Sequence, residues 1–179
     1  ENWAEHILAE ALSGLTDDLD QARACLLLAQ RAILLEQTDR AQEHLNSAKQ
    51  KAFEAEDLGL QAKCRVTEGD LYRVLSQMEN AQNSWKEARE LALASGDEEV
   101  LLRLLIRRGD LHAAAGQVDQ ALEDYKTAAN GYQSLQLPIR QGWALLRMGR
   151  VSGDTEFLNA SRKCFMACDL AAGVAAVDV

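Results

Sequence analysis

The chain has 179 residues, 47% of them hydrophobic, with one proline, few aromatics, a net charge of −9 and a pI near 4.8. That apolar content is ample for a buried core, and the wealth of Ala, Leu, Gln and Glu favours helix. The acidic balance argues against a nucleic-acid backbone as partner, which demands clustered Lys and Arg, and no apolar run approaches the roughly 20 residues that span a bilayer.

In chain order, residues 2–13 read as a helix, because Trp3, Ile7, Leu8, Ala11 and Leu12 form one stripe. Ser13-Gly14 stops it, and Thr16-Asp17-Asp18 reads as a cap with acids in the next first turn. A helix follows from Leu19 to Glu36, and another from Arg40 to Glu56 with Thr38 or Asp39 as its cap. After Asp57-Leu58-Gly59 come helices from Leu60 to Gln77 and from Asn80 to Ala94. Ser95-Gly96-Asp97 ends one helix on glycine and opens the next on acids. Helix resumes over Glu98–Ala115, turns at Gly116, and continues over Val118–Ser134. Pro138 suits a helical first turn, because that position needs no N–H, and its helix runs to about Val151. Thr155 to Leu170 is the last strong helix, and the tail AAGVAAVDV is weakly specified or begins a further unit. No strand pattern is present.

A period of 40 residues runs through these helices. Ala41, Ala81 and Ala121 are 40 apart, and so are Gly69, Gly109 and Gly149. Gly149 to Ala160 is 11 residues, against 12 from Gly109 to Ala121, which reads as a one-residue deletion in the last turn. Such a period marks stacked supersecondary units, each too small to hide its own apolar stripe.

The residues at fixed places in each unit carry a resemblance. One unit has Leu105, Gly109, Gly116, Ala121, Tyr125 and Ala128; the one before it has Gly69, Tyr72, Ala81, Trp85 and Ala88. The unit after has Leu145, Met148, Gly149, Ala160, Cys164 and Ala167, and the weakest, at the start, has Leu28, Ala29, Ala41, Leu45 and Ala48. This pattern resembles the tetratricopeptide repeat, in a long-period form similar to that of Pins-type polarity adaptors and MalT-like regulators. The resemblance implies an all-α fold, a right-handed α-solenoid of stacked antiparallel helical hairpins. It implies a single domain with repeats at 19–57, 58–96, 97–137 and 138–170 after an N-terminal helix within 1–18. Arg65, Cys25, Glu68 and Arg108 depart from the pattern by standing where bulky apolar residues are usual.

In such repeats the first helix of each hairpin lines a concave groove. On the helix from Glu98, Leu101, Leu104, Leu105 and His112 read as the inward stripe with Gly109, which leaves Arg103, Ile106, Arg107, Asp110 and Ala114 on the free face. The same face carries Arg23, Leu26, Leu27, Gln30 and Leu34 in the first unit, and Lys63, Val66, Thr67, Asp70 and Val74 in the second. In the fourth it carries Trp143, Leu146, Arg147 and Arg150. Arg23, Lys63 and Arg103 thus recur at one position, and Arg107 and Arg147 at another. Guanidinium groups bind carboxylates bidentately, so an acidic segment of another protein is the expected ligand. Trp143, Leu26 and Leu27 would supply apolar docking. Ordinary pairing of Arg107 with Asp110 or Asp70, and packing of Trp143 against the tail, are the competing readings.

Cys25, Cys64, Cys164 and Cys168 show no CxxC spacing and read as free thiols of a reducing compartment, which points to the cytoplasm. His6, His44 and His112 are scattered, and His112 reads as a satisfied packing residue. No constellation for catalysis, metal or cofactor binding is present, so a non-catalytic scaffold with no cofactor and no metal is expected. The chain opens at Glu1, as an excised fragment would. The other class of function is a structural or regulatory arm of a larger assembly, self-associating or touching its neighbours through exposed end helices.

Overall fold

The computed structural model describes residues 14 and 17–177. The predicted helix over 2–13, with Trp3, His6 and Ile7, and the last two residues of the tail lie outside them. Among the described residues there are nine helices and no strand: α1 (Asp18–Leu34), α2 (Thr38–Glu54), α3 (Leu58–Val74), α4 (Met78–Ser95), α5 (Glu98–Ala114), α6 (Val118–Ser134), α7 (Pro138–Ser152), α8 (Thr155–Ala167) and α9 (Ala171–Val177). Helices adjacent in sequence pack in pairs, so the fold is all-α and of the α-solenoid class.

The seven helices from α1 to α7 begin 20 residues apart, at 18, 38, 58, 78, 98, 118 and 138. The 40-residue period is therefore two equal helix-plus-turn modules. Each module closes through a left-handed residue at the helix end: Glu36, Glu56, Ser76 and Gln136 with φ of 53–59°, and Gly96 and Gly116 with φ of 69° and 74°. Because four of these six are not glycine, the closure is invisible to a search for glycines. Most starts have a side-chain cap or a substitute for one. Asp17 accepts from the Leu19 N–H, Asp57 from Leu60 and Asp97 from Val100, and Pro138 needs no partner. The expected capping by Thr38 or Asp39 is not made: Gln37 is the cap residue of α2 and its side chain makes no capping bond.

The chain divides into two compact units, Glu1–Val100 and Leu101–Val179, and each is described by itself. In the first, α1 packs on α2 and α3, α2 on α3, and α3 on α4. Its core is built from Ala22, Ala29, Ala41, Leu45, Ala48 and Leu71, all 0–1% exposed. Gly69 permits the close approach of Trp85: a Cβ there would come within 2.3 Å of the indole Nε1, which donates to the Val66 carbonyl at 3.3 Å. The departures from the repeat pattern are compensated as ion pairs. Glu68 accepts from Lys49, from Arg65 at 2.6 Å and from Ser84 at 3.4 Å, and its side chain is 7% exposed.

In the second unit α6 packs on α7, α7 on α8, and α9 on both α7 and α8. Tyr125 stands on Gly109 as Trp85 stands on Gly69; a Cβ on Gly109 would meet its ring at 2.5 Å. Arg108, before that glycine, makes a bidentate pair with buried Asp124. The apolar stripe of α5 differs from the expectation. Val100, Leu102 and Ile106, 2–6% exposed, are its buried large residues, whereas Leu101, Leu104 and Leu105 are only partly buried. In the run LLRLLI every face is apolar, so periodicity alone cannot choose the inward one. Gly131 decides it, because only Leu102 fits against its bare backbone.

The last hairpin has the expected shorter turn, 153–154 against 135–137, but not the expected alignment. Ser161 and Phe165, both 0% exposed, stand 40 residues after Ala121 and Tyr125, whereas Ala160 and Cys164 are half-buried and Ala167 is exposed. The 40-residue frame thus continues without loss. What changes is the pairing: α7 stops at Ser152, Gly153 turns the chain, and α8 begins at Thr155, three residues early. Phe165 consequently lies against Gly142 and Gly173, while Gly149 receives Leu158. Ser161 donates to the Gly142 carbonyl at 2.8 Å, which satisfies a hydroxyl in the place of an alanine methyl.

Candidate peptide-binding surface

In the first unit the face expected to line a groove is largely occupied by the protein's own contacts. Leu26 is 5% exposed and belongs to the core, which corrects its assignment to apolar docking; Leu27, 65% exposed, remains on the surface. Val66, Thr67 and Asp70 are buried, and Thr67 accepts from Gln30 at 3.1 Å while donating to the Lys63 carbonyl. Arg23 pairs with Asp20 at 3.0 Å on the same helix, and Lys63 pairs with Asp97 at 3.0 Å. Both pairs are solvated and of small energetic worth, so they spend charge without adding much stability.

A cavity of about 700 Å³ in this unit had no counterpart in the sequence reading. Lys49, Phe53, Cys64, Arg65, Glu87, Glu90, Leu91 and Ala94 line it, with Gln50 and Gln61. These residues come from α2, α3 and α4, and although Gln50 and Glu90 are 40 apart and Arg65 stands at the position of Leu105, no residue type recurs there, so the period did not flag them. Burial pushes the Cys64 thiol up to about 12. For Glu68, burial acts to raise the carboxyl, but hydrogen bonds from Lys49 and Arg65 outweigh it and hold the group below the ordinary carboxylate value.

The second unit keeps its expected site together. Arg103, Arg107, Trp143 and Arg147 line one cavity of about 200 Å³ with Ile106, Tyr132, Arg140 and Ala144. Asp110 organises the arginines. Its Oδ1 accepts from Arg147 Nε at 2.9 Å and from the Tyr125 hydroxyl at 2.9 Å, and its Oδ2 accepts from Arg107 at 3.4 Å. Pairing of Arg107 with Asp110, the competing reading, is thus part of the geometry. It does not remove the site, because Arg107 and Arg147 line the cavity while they pair with Asp110. Burial first, and Asp110 second, push the Tyr125 hydroxyl well above its usual range, so it remains a donor.

Trp143 packs as well as lines. Its ring lies 4.9 Å from that of Phe165 at 58°, within the apolar cluster of Leu146, Phe165 and Val177. Trp143, with Arg140, also borders a second cavity of about 450 Å³ walled by Leu137, Pro138, Ile139 and Cys168. Arg150 is not in either cavity. Its Nη2 donates to the Ala176 carbonyl at 2.8 Å, tying α7 to α9, so it serves the fold rather than the expected binding face. Arg140 was missed in the sequence, although Arg140, Trp143, Ala144 and Arg147 follow the 3, 4, 7 spacing of one helical face. His112 differs from its reading as satisfied: Nδ1 lies 3.1 Å from Asp124 but makes no hydrogen bond.

Among the described residues no cluster suited to holding a metal ion occurs, and no helix is long and apolar enough to cross a membrane. All four cysteines are free thiols.

No family model matches the chain, and no curated protein does. Among solved structures it is similar to BtubC (BKLC) from P. vanneervenii, with a TM-score of 0.59 and 20% identity, over 93% of this chain and 70% of that one. At that identity the likeness speaks for the shared helical fold and for nothing more specific.

Proposed function

We propose that the protein is a non-catalytic interaction scaffold of the tetratricopeptide class, and that its second unit binds an acidic and apolar segment of another protein. The observation that carries this reading is the convergence of Arg103, Arg107, Arg140 and Arg147 on one cavity in a chain of net charge −9. No carboxylate is among the residues lining that cavity. Charge of that sign, concentrated against the overall balance, gives anionic groups a place to dock on a chain that otherwise repels them. Trp143 beside it offers the kind of aromatic anchor on which interface energy concentrates. Neither nucleic acid nor membrane is required, and a cytoplasmic setting suits four free thiols.

The test is recovery of partners by the chain and by an Arg103→Glu/Arg147→Glu variant, followed by affinity measurement with each partner's acidic segments. Partners that bind only the unaltered chain, and more weakly as salt rises, support the reading. Equal binding by both chains contradicts it. One observation favours a second reading, a structural arm contacting neighbours through its edges: Leu27 and Leu34 on α1 are 65% and 83% exposed. Concentration-dependent association abolished by Leu27→Ser/Leu34→Ser would favour that reading.

A further inference from the structure

The two cavities of the second unit share a wall. Arg140 and Trp143 line both the arginine-rich cavity and the apolar one, and no other residue does. Arg103, Arg107 and Arg147 line the first; Leu137, Pro138, Ile139 and Cys168 line the second. The wall is held in place: Trp143 is braced by Phe165, and its carbonyl accepts from Arg147 at 3.3 Å.

We infer that these cavities form one bipartite site that reads a short extended segment with an acidic side chain close to a bulky aliphatic one. The carboxylate enters the cavity lined by Arg103, Arg107, Arg140 and Arg147. The aliphatic side chain enters the apolar cavity, across the shared wall of Arg140 and Trp143. This rests on the proposed peptide-binding function and deepens it, because it turns a general preference for acidic ligands into a paired requirement. In an extended segment alternate side chains share a face, roughly 7 Å apart, so an acid and an aliphatic residue two positions apart can straddle one indole. Arg140, exposed and bordering both cavities, is the residue placed to close on the peptide backbone between them.

The experiment uses the full chain and three fluorescein-labelled peptides. The first is Gly-Ser-Leu-Ser-Glu-Ser-Gly; the second has Ser for Leu; the third has Gln for Glu. Fluorescence anisotropy is read at low salt. The first peptide is expected to bind at least tenfold tighter than either of the others. Ile139→Ser and Cys168→Trp, which empty and fill the apolar cavity, should each bring the first peptide down to the level of the second and leave the second unchanged. Ile139 is 41% exposed, so its substitution leaves the core intact. If leucine gives no gain, or the gain persists in Cys168→Trp, the bipartite site is wrong while the acidic reading stands. If replacing Glu by Gln costs nothing, and Arg147→Glu binds all three peptides as the unaltered chain does, the arginine cavity is not a peptide site and both fall.

Discussion

Each unit contains one carboxylate with two cations on it, and the two clusters differ in how much solvent reaches them. Glu68 in the first unit is 7% exposed and enclosed by Lys49, Arg65 and Ser84. Asp110 in the second is 34% exposed, and its partners Arg107 and Arg147 also face a cavity. A buried carboxylate must be matched by its own neighbours, because desolvation penalises any charge left over. A half-exposed carboxylate is itself solvated, so its cations need not enclose it and can border a cavity while they pair with it. The comparison teaches that the same residue types hold the first unit together and give the second its candidate site.

The largest expected effect breaks the buried cluster. Glu68→Gln leaves Lys49 without its counter-charge and Arg65 with only exposed Glu87, 3.1 Å away, and should cost about 3 kcal/mol in urea denaturation, at the lower end for a buried pair since both cations are partly solvated. Because Glu68 is held below its unfolded value, about 4.3, its contribution is complete above that pH and is lost as pH falls through the folded value. The gap between Glu68→Gln and the unaltered chain should therefore close as the medium is acidified below about pH 4. A constant gap would mean that Glu68 stabilises by packing alone.

Next comes the packing that both units share. Ala121 is 0% exposed beside Tyr125 and Gly109, so Ala121→Leu should overpack the hairpin and cost about 1–3 kcal/mol. An unaltered melting curve would remove the basis of the repeat alignment. Arg107→Glu should weaken binding of an acidic partner more than tenfold, about 1.4 kcal/mol, while exposed Lys126→Glu does little. Binding should also weaken with salt, since the cavity is open to solvent. The smallest effect concerns the thiols. Cys64, 1% exposed and pushed up to about 12, should resist alkylation at pH 8 in the folded chain, and half-buried Cys168 should react first. Reducing agent should leave the melting temperature unchanged, because all four thiols are free.

The sequence disclosed the fold through recurrence, which survives noise at single positions. The glycines at 69 and 109 and the aromatics at 85 and 125 are needed wherever two helices approach closely, so they repeat at 40. Phe165 and Ser161 were hidden because a helix two residues shorter and a turn one residue shorter changed which glycine meets which ring, and an alanine and a cysteine one position away imitated the pattern. The arginines of the site were visible because their position recurs as well. Arg140 and Cys168 were not, since their equivalents forty residues earlier, Val100 and Ala128, are core residues that mark no surface. Leu26 was misplaced for the reason Ile106 was: an apolar run has no polar face to set its orientation. The cavity of the first unit depends on how three helices meet, which no single helix's period encodes.

The most direct test compares two indoles. Trp85 in the first unit is 7% exposed, with its Nε1–H held by the Val66 carbonyl, whereas Trp143 in the second is half-buried and borders both cavities. In a ¹⁵N–¹H spectrum of the full chain, titration with the peptide Gly-Ser-Leu-Ser-Glu-Ser-Gly should shift the Trp143 indole resonance, assigned by Trp143→Phe, and leave that of Trp85 in place. A Trp143 resonance that stays fixed while the peptide binds, or a shift confined to Trp85, would contradict the assignment of the site to the second unit.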